Sequence, residues 1–179
     1  MYNECEEEEN NLSMQAISEI EEQFISVDAE CYQNKSADSG KINSLISEIQ
    51  LQKNTYLKEP SLLSRLTAFE GLLEQLNGKT KKAQDALEQT KKYSSNDIYV
   101  ILLETRLIKS EEERTARLEE LLAADSDNAM LLLEKGKLLF DAGKYKDTVA
   151  VIDNALISFD RDEKAAIRAI GSSMPLFNL

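Results

Sequence analysis

Six glycines and two prolines are spread over 179 residues, and that scarcity limits the fold more than any motif does. Sheet proteins turn every ~8–12 residues and use Gly, Pro, Asn or Asp to do it. A chain so poor in Gly and Pro cannot turn that often, whereas helices need few breakers. The apolar pattern points the same way. Ile17, Ile20, Phe24, Val27 and Cys31 recur at alternating spacings of three and four, one stripe of a helix. Leu62, Leu63, Leu66, Phe69, Leu72, Leu73 and Leu76 give a second helix a wide apolar face. The fold expected is all-α.

Punctuation divides the chain into eight main helices. A first helix of about five turns starts near Ser13 and ends in the polar stretch 33–40. The second carries Ile42, Leu45, Ile46, Ile49, Tyr56 and Leu57 and is expected to end at Pro60, because the residue before proline avoids the helical region. The third, 61–76 with Ser61 as a possible cap, stops at Asn77-Gly78. A fourth covers 79–92, and after Ser94-Ser95-Asn96 as loop and cap a fifth carries Ile98, Val100, Ile101, Leu102, Leu103 and Leu107. Ser110 with Glu113 reads as a capping box opening the sixth. The seventh and eighth are 129–141 and 145–159, followed by a short helix at 163–170 and a tail. The resulting organisation is an acidic disordered arm (1–11), an N-terminal hairpin (12–60), an array of hairpins with a capping helix (61–170) and a frayed end (171–179). The stripe from Ile17 to Cys31 lasts about two heptads, short of the three or four that argue for a coiled coil, so it is read as core packing.

Charge is distributed unevenly. Residues 1–30 hold ten acids and no base, while the rest holds 23 acids and 21 bases. The net charge of −12 therefore sits in the N-terminal part, and the body is close to neutral. No basic stripe exists to follow a phosphate backbone, so nucleic acid is not an expected partner. Lys79, Lys81, Lys82, Lys91 and Lys92 form a small patch, read as a solvated face, with docking of an acidic segment as the alternative. No run of ~18 apolar residues suggests a membrane span. No signal peptide is visible in Met1-Tyr2-Asn3-Glu4-Cys5 and the glutamates after it. The expected compartment is the cytoplasm, with Cys5 and Cys31 as free thiols. Had a signal been removed ahead of Met1, Cys5 would suit a lipid-anchored periplasmic protein.

One segment carries a repeat. Between 129 and 162 the order is Leu132, Lys135-Gly136, Leu139, Gly143-Lys144-Tyr145, Thr148, Ile152, Ala155-Leu156 and Asp160. This is similar to the tetratricopeptide repeat, with its fixed alternation of large and small residues over ~34 positions. Leu132 stands where the family usually has Trp, Thr148 where it has Ala, and Asp160 where it has Pro. Residues 64–95 form a weaker unit with Gly71, Gly78, Ala83 and Leu87, and 95–128 a weaker one still, with Leu102 at a small-residue site. The resemblance covers about 100 residues and implies antiparallel hairpins stacked as a TPR-like right-handed superhelix. Gly136 would let the seventh helix approach the eighth, Leu132, Leu139 and Ile152 would fill the groove between them, and Ala155 would leave room for the next hairpin. The alternative is an ordinary helical bundle.

Catalytic chemistry finds no support in these residues. The chain has no histidine, which removes the commonest general base and most nucleophile pairs. Gly78-Lys79-Thr80 is the end of a phosphate loop without its beginning, since Leu73 stands where the first glycine belongs. Asp125, Asp127 and Asn128 lack the glycine and glutamate of a calcium loop. Carboxylate runs such as Glu111-Glu112-Glu113 read as solvated helix faces. No enzyme, cofactor or metal is expected.

Recognition is what remains. In the family the concave face is lined by the first helix of each pair and receives a peptide or helix. By that resemblance Arg65, Thr67 and Glu70, then Asp97, Tyr99, Glu104 and Arg106, then Glu134, Lys135 and Lys137 line it here. Tyr99, Arg106 and Lys137 are the favoured anchors, with Arg65 and Glu134 beside them. The asparagines that some relatives use to grip a C-terminal carboxylate are missing from the matching positions. The function expected is a protein-interaction scaffold. A self-assembling structural subunit and a periplasmic accessory lipoprotein for transport or envelope assembly are the alternatives.

Overall fold

The computed structural model describes residues 2–93 and 97–160, with side chains from Gln15 to Ser158. It contains α1 (Tyr2–Asn34), α2 (Ser39–Thr55), α3 (Pro60–Leu76), α4 (Thr80–Thr90), α5 (Ile98–Leu107), α6 (Glu111–Ala124), α7 (Ala129–Asp141) and α8 (Tyr145–Asp160). Among the described residues there is no strand. The short helix expected at 163–170 and the tail lie outside them.

Each helix start has a local cause. The Asp38 carboxylate accepts from the Gly40 and Lys41 amides, Asp97 from Tyr99, Ser110 from Glu113 and Asn128 from Leu131. These contacts satisfy amides that have no partner inside a helix. At α6 the Ser110 hydroxyl also donates to Glu112, one residue short of the capping-box glutamate.

Several boundaries differ from expectation. Pro60 does not end α2, which stops at Thr55, but opens α3, where its missing N–H is no loss. Leu57, expected on the inner face of α2, lies beyond that helix and is exposed. Helix α1 begins at Tyr2, inside the stretch read as a disordered arm. Glutamates propagate helix well and their charge suits a helix N-terminus.

Two turns repeat one another. Gly78 has φ +74° and Gly143 φ +72°, the left-handed backbone that glycine adopts without strain. The Gly78 amide bonds to Gln75 O and the Lys79 amide to Glu74 O. Likewise Gly143 bonds to Phe140 O and Lys144 to Leu139 O. Both are Schellman endings, and they fold α4 back on α3 and α8 back on α7. The glycine seven residues upstream is buried in each case, Gly71 in α3 and Gly136 in α7.

At Gly71 the reason is measurable. A Cβ there would lie 2.5 Å from Leu103 Cδ2 and 3.0 Å from Ala86 Cβ, so α3 touches both α4 and α5 at this point. Leu103 is fully buried, so shifting its side chain disturbs the packing around it. Gly71→Leu is expected to lower stability by about 1–3 kcal/mol or more through overpacking. Gly71→Ala should cost less, because its better helix propensity offsets part of the clash. Urea midpoints of the two variants check both statements.

The core is one large cluster over α1 to α7 and a smaller one between α7 and α8. The large cluster is centred on Ile20, Phe24, Ile42, Ile49, Phe69, Leu72 and Leu102. Leu102 is fully buried although a small residue was expected there. The smaller cluster joins Leu132, Leu133, Ile152 and Ala155. Thr148 is also buried, while Leu139 is only half-buried and lines a cleft toward α6. Tyr145 is largely exposed, its ring against Phe140 at 5.5 Å.

Candidate functional site: a groove filled by the first helix

Helix α1 lies across α3, α5 and α7 and meets side chains of all three. Its side chains at Glu21, Phe24, Asp28 and Tyr32 fall at helical spacing on one face, and Lys35 follows just past its end. Each meets a partner from the groove. The Phe24 ring sits between Phe69 of α3 (5.3 Å between centroids) and Tyr99 of α5 (6.0 Å, edge-on). The Tyr99 hydroxyl donates to the Glu21 carboxylate. Further along, the Tyr32 hydroxyl reaches Lys137 O and Asp141 on α7 at 3.4 and 3.3 Å, and Lys35 pairs with Asp141 at 3.0 Å.

The centre of the groove is a buried group of four charges. Arg106 donates both terminal nitrogens to Asp28, at 2.8 and 2.9 Å. It also engages Glu134, whose Oε2 accepts from Arg106 Nε at 3.1 Å. Lys137 bridges the same two carboxylates, 2.8 Å from Asp28 and 3.1 Å from Glu134. All four side chains are at most 12% exposed. Two acids and two bases cancel, which is what makes burial tolerable: each desolvation cost is offset by short, charge-assisted contacts.

The protonation equilibria follow from this geometry. Burial alone would raise the pKa of Asp28, but the Arg106 and Lys137 charges outweigh it and hold the carboxyl well below its ordinary range. Glu134 is lowered by the same two cations against its own desolvation. Burial works against the charged forms of Lys137 and Arg106, and both are nevertheless raised by Asp28 and Glu134. Tyr32 is raised, first by burial and then by Asp141.

The residues favoured from the sequence are thus brought together. Tyr99, Arg106 and Lys137 face α1 and are occupied by it, and Glu134 is held by Arg106 and Lys137. Tyr99 is 2% and Lys137 8% exposed. Both are covered by a helix of the same chain, where the sequence reading had left them open to a foreign partner. Arg65 stands apart: its Nε donates to Asp97 at 2.8 Å, tying α3 to the cap of α5. Of the other lining residues, Thr67 is buried and Glu70 pairs with Lys53 of α2 at 2.8 Å. The lysine patch is partly neutralised, since Lys79 and Lys82 both lie 3.2 Å from the buried Glu74 and Lys91 pairs with Glu88.

Sequence reasoning missed the α1 half of the site. Its signal was present, because Glu21 and Asp28 interrupt an apolar stripe as Ile17, Glu21, Phe24, Asp28, Cys31. Carboxylates at such positions must find cations or hydroxyls. They had been counted with the acids of the arm. Among the described residues no helix is long and apolar enough to cross a membrane. Set against protein-family models, curated proteins and solved structures, the chain matches none.

Proposed function

We propose that the chain is a non-catalytic protein-interaction scaffold whose TPR-like hairpins grip an acidic, amphipathic helix in the groove of α3, α5 and α7. The observation that carries this reading is the seating of α1 by Tyr99, Arg106 and Lys137. A groove with aromatic, guanidinium and ammonium anchors is complementary to a helix carrying an aromatic residue with acids three positions before and four after it. In the resting chain α1 supplies that helix, and a partner helix with the same pattern competes for the place. The repeated Gly71/Gly78 and Gly136/Gly143 frames support the tetratricopeptide resemblance.

The test uses the full chain carrying Asp28→Asn, which loosens α1 without truncating it. A synthetic peptide of residues 15–36 is expected to raise the unfolding midpoint of this variant saturably, by mass action. A peptide in which Phe24 and Asp28 are both Ala is expected to leave it unchanged. Equal effects of the two peptides, or none from either, would remove the groove as a helix receptor.

A second reading, self-assembly, has one observation in its favour. Tyr145, Val149 and Ile157 stand 53%, 48% and 56% exposed along α8, an apolar strip on the last described helix. Light scattering across a concentration series distinguishes it: a mass that stays monomeric counts against association.

A further inference from the structure

The cleft between the last turns of α1 and helices α3, α6 and α7 has a volume of about 370 Å³, within the range of small-molecule sites. Its charges are almost, but not fully, balanced. The acids Asp28, Glu134 and Asp141 are taken up by Arg106, Lys137 and Lys35. The fourth base in the wall is Arg114. Its Nη2 donates to Ile108 O at 2.9 Å, and among the described residues no carboxylate pairs with it. Its Nε–H is buried and lacks an acceptor. In the same wall the Gln75 carbonyl, Oε1, is buried and lacks a donor. Leaving one such group unmet is costly, and here a charged donor and a neutral acceptor, both buried and without a partner, belong to residues of one cavity wall. Leu76, Leu138 and the Tyr32 ring supply apolar wall.

We propose that this cleft binds a small monocarboxylate that also carries an N–H donor, an N-acylated amino acid being the simplest form. The carboxylate meets Arg114, the N–H meets the Gln75 carbonyl, and an aliphatic side chain lies against Leu76 and Leu138. A single excess cation selects a monoanion. A dianionic phosphate would bring a second negative charge toward Asp28, Glu134 and Asp141 without a base to receive it. This cleft adjoins the α1 groove and shares Asp28, Arg106, Glu134 and Lys137 with it, and it is present with α1 in place.

The test is a titration of the intact chain with N-acetyl-L-leucine, followed by calorimetry and by the ¹H–¹⁵N resonance of the Arg114 Nε–H. Saturable binding with movement of that resonance is expected. N-acetyl-L-leucinamide, which lacks the charge, should bind at least about tenfold more weakly, as should Gln75→Leu and Arg114→Gln chains toward the acid. Inorganic phosphate should not compete. A cleft that merely holds water gives no saturable response, and that result overturns the proposal. So does equal binding of the amide, or a wild-type titration that leaves the Arg114 resonance in place. This last measurement needs no variant and decides the matter even if Arg114→Gln does not fold.

Discussion

Asp28→Ala is expected to cost about 3–5 kcal/mol of folding stability, the range for removing one partner of a buried ion pair. The carboxylate touches Arg106 through two nitrogens and Lys137 through one. Without it two largely buried cations share Glu134 alone, and one positive charge is left uncompensated. The loss should therefore be larger than the worth of the contacts themselves. Adding Lys137→Met removes the surplus cation and should restore part of the stability, a coupling that a double-mutant cycle measures. Acid offers a second test of the same group. The folded pKa of Asp28 is depressed below its unfolded value, so between the two the unfolded chain binds more protons. Its stabilisation is thus fully present above ~pH 5 and is lost as pH falls through ~4 and below. Glu134, also lowered, adds to the same limb. Denaturant midpoints taken from pH 7 to pH 3 should fall steeply in the wild type and less steeply in Asp28→Asn. Parallel acid limbs would mean that Asp28 is not held as described.

Phe24→Ala is the other large effect, expected at about 3–5 kcal/mol. Phe24 is 1% exposed and joins α1 to the rings of Phe69 and Tyr99. Truncation leaves a cavity between three helices that are each pinned elsewhere, so collapse around it is limited. Phe24→Leu fills most of the volume and should cost markedly less. Thermal or urea unfolding compares the two. Loss of near-ultraviolet circular dichroism with helicity retained would place the damage in the α1 contact. A Phe24→Ala chain as stable as wild type would show that α1 does not hold the groove.

Most helix limits were legible because they depend on local chemistry. Asn128 and Ser110 cap whatever follows them, and Gly143 ends α7 because its backbone adopts a left-handed φ. Pro60 misled because proline marks a boundary without saying on which side of it the helix lies. The small residue at one close helix contact was legible for a related reason. A glycine such as Gly71 on an otherwise apolar helix face announces close approach, and the sequence needs only its spacing to Gly78 to suggest a hairpin.

The sequence by itself determined the helical class and most of the turns, and it singled out Tyr99, Arg106, Glu134 and Lys137 as candidate lining residues. Each follows from residue type and spacing along one strand of chain. Only the tertiary structure decided that those residues hold Glu21, Phe24 and Asp28, and that Arg114 and Gln75 stand in the wall of one cleft. Asp28 and Lys137 are 109 positions apart, and no periodicity reports on a pairing at that distance. What selects it is the energetic demand that a buried carboxylate find cations. Which cations it finds is fixed by where packing of the apolar stripe sets α1 down.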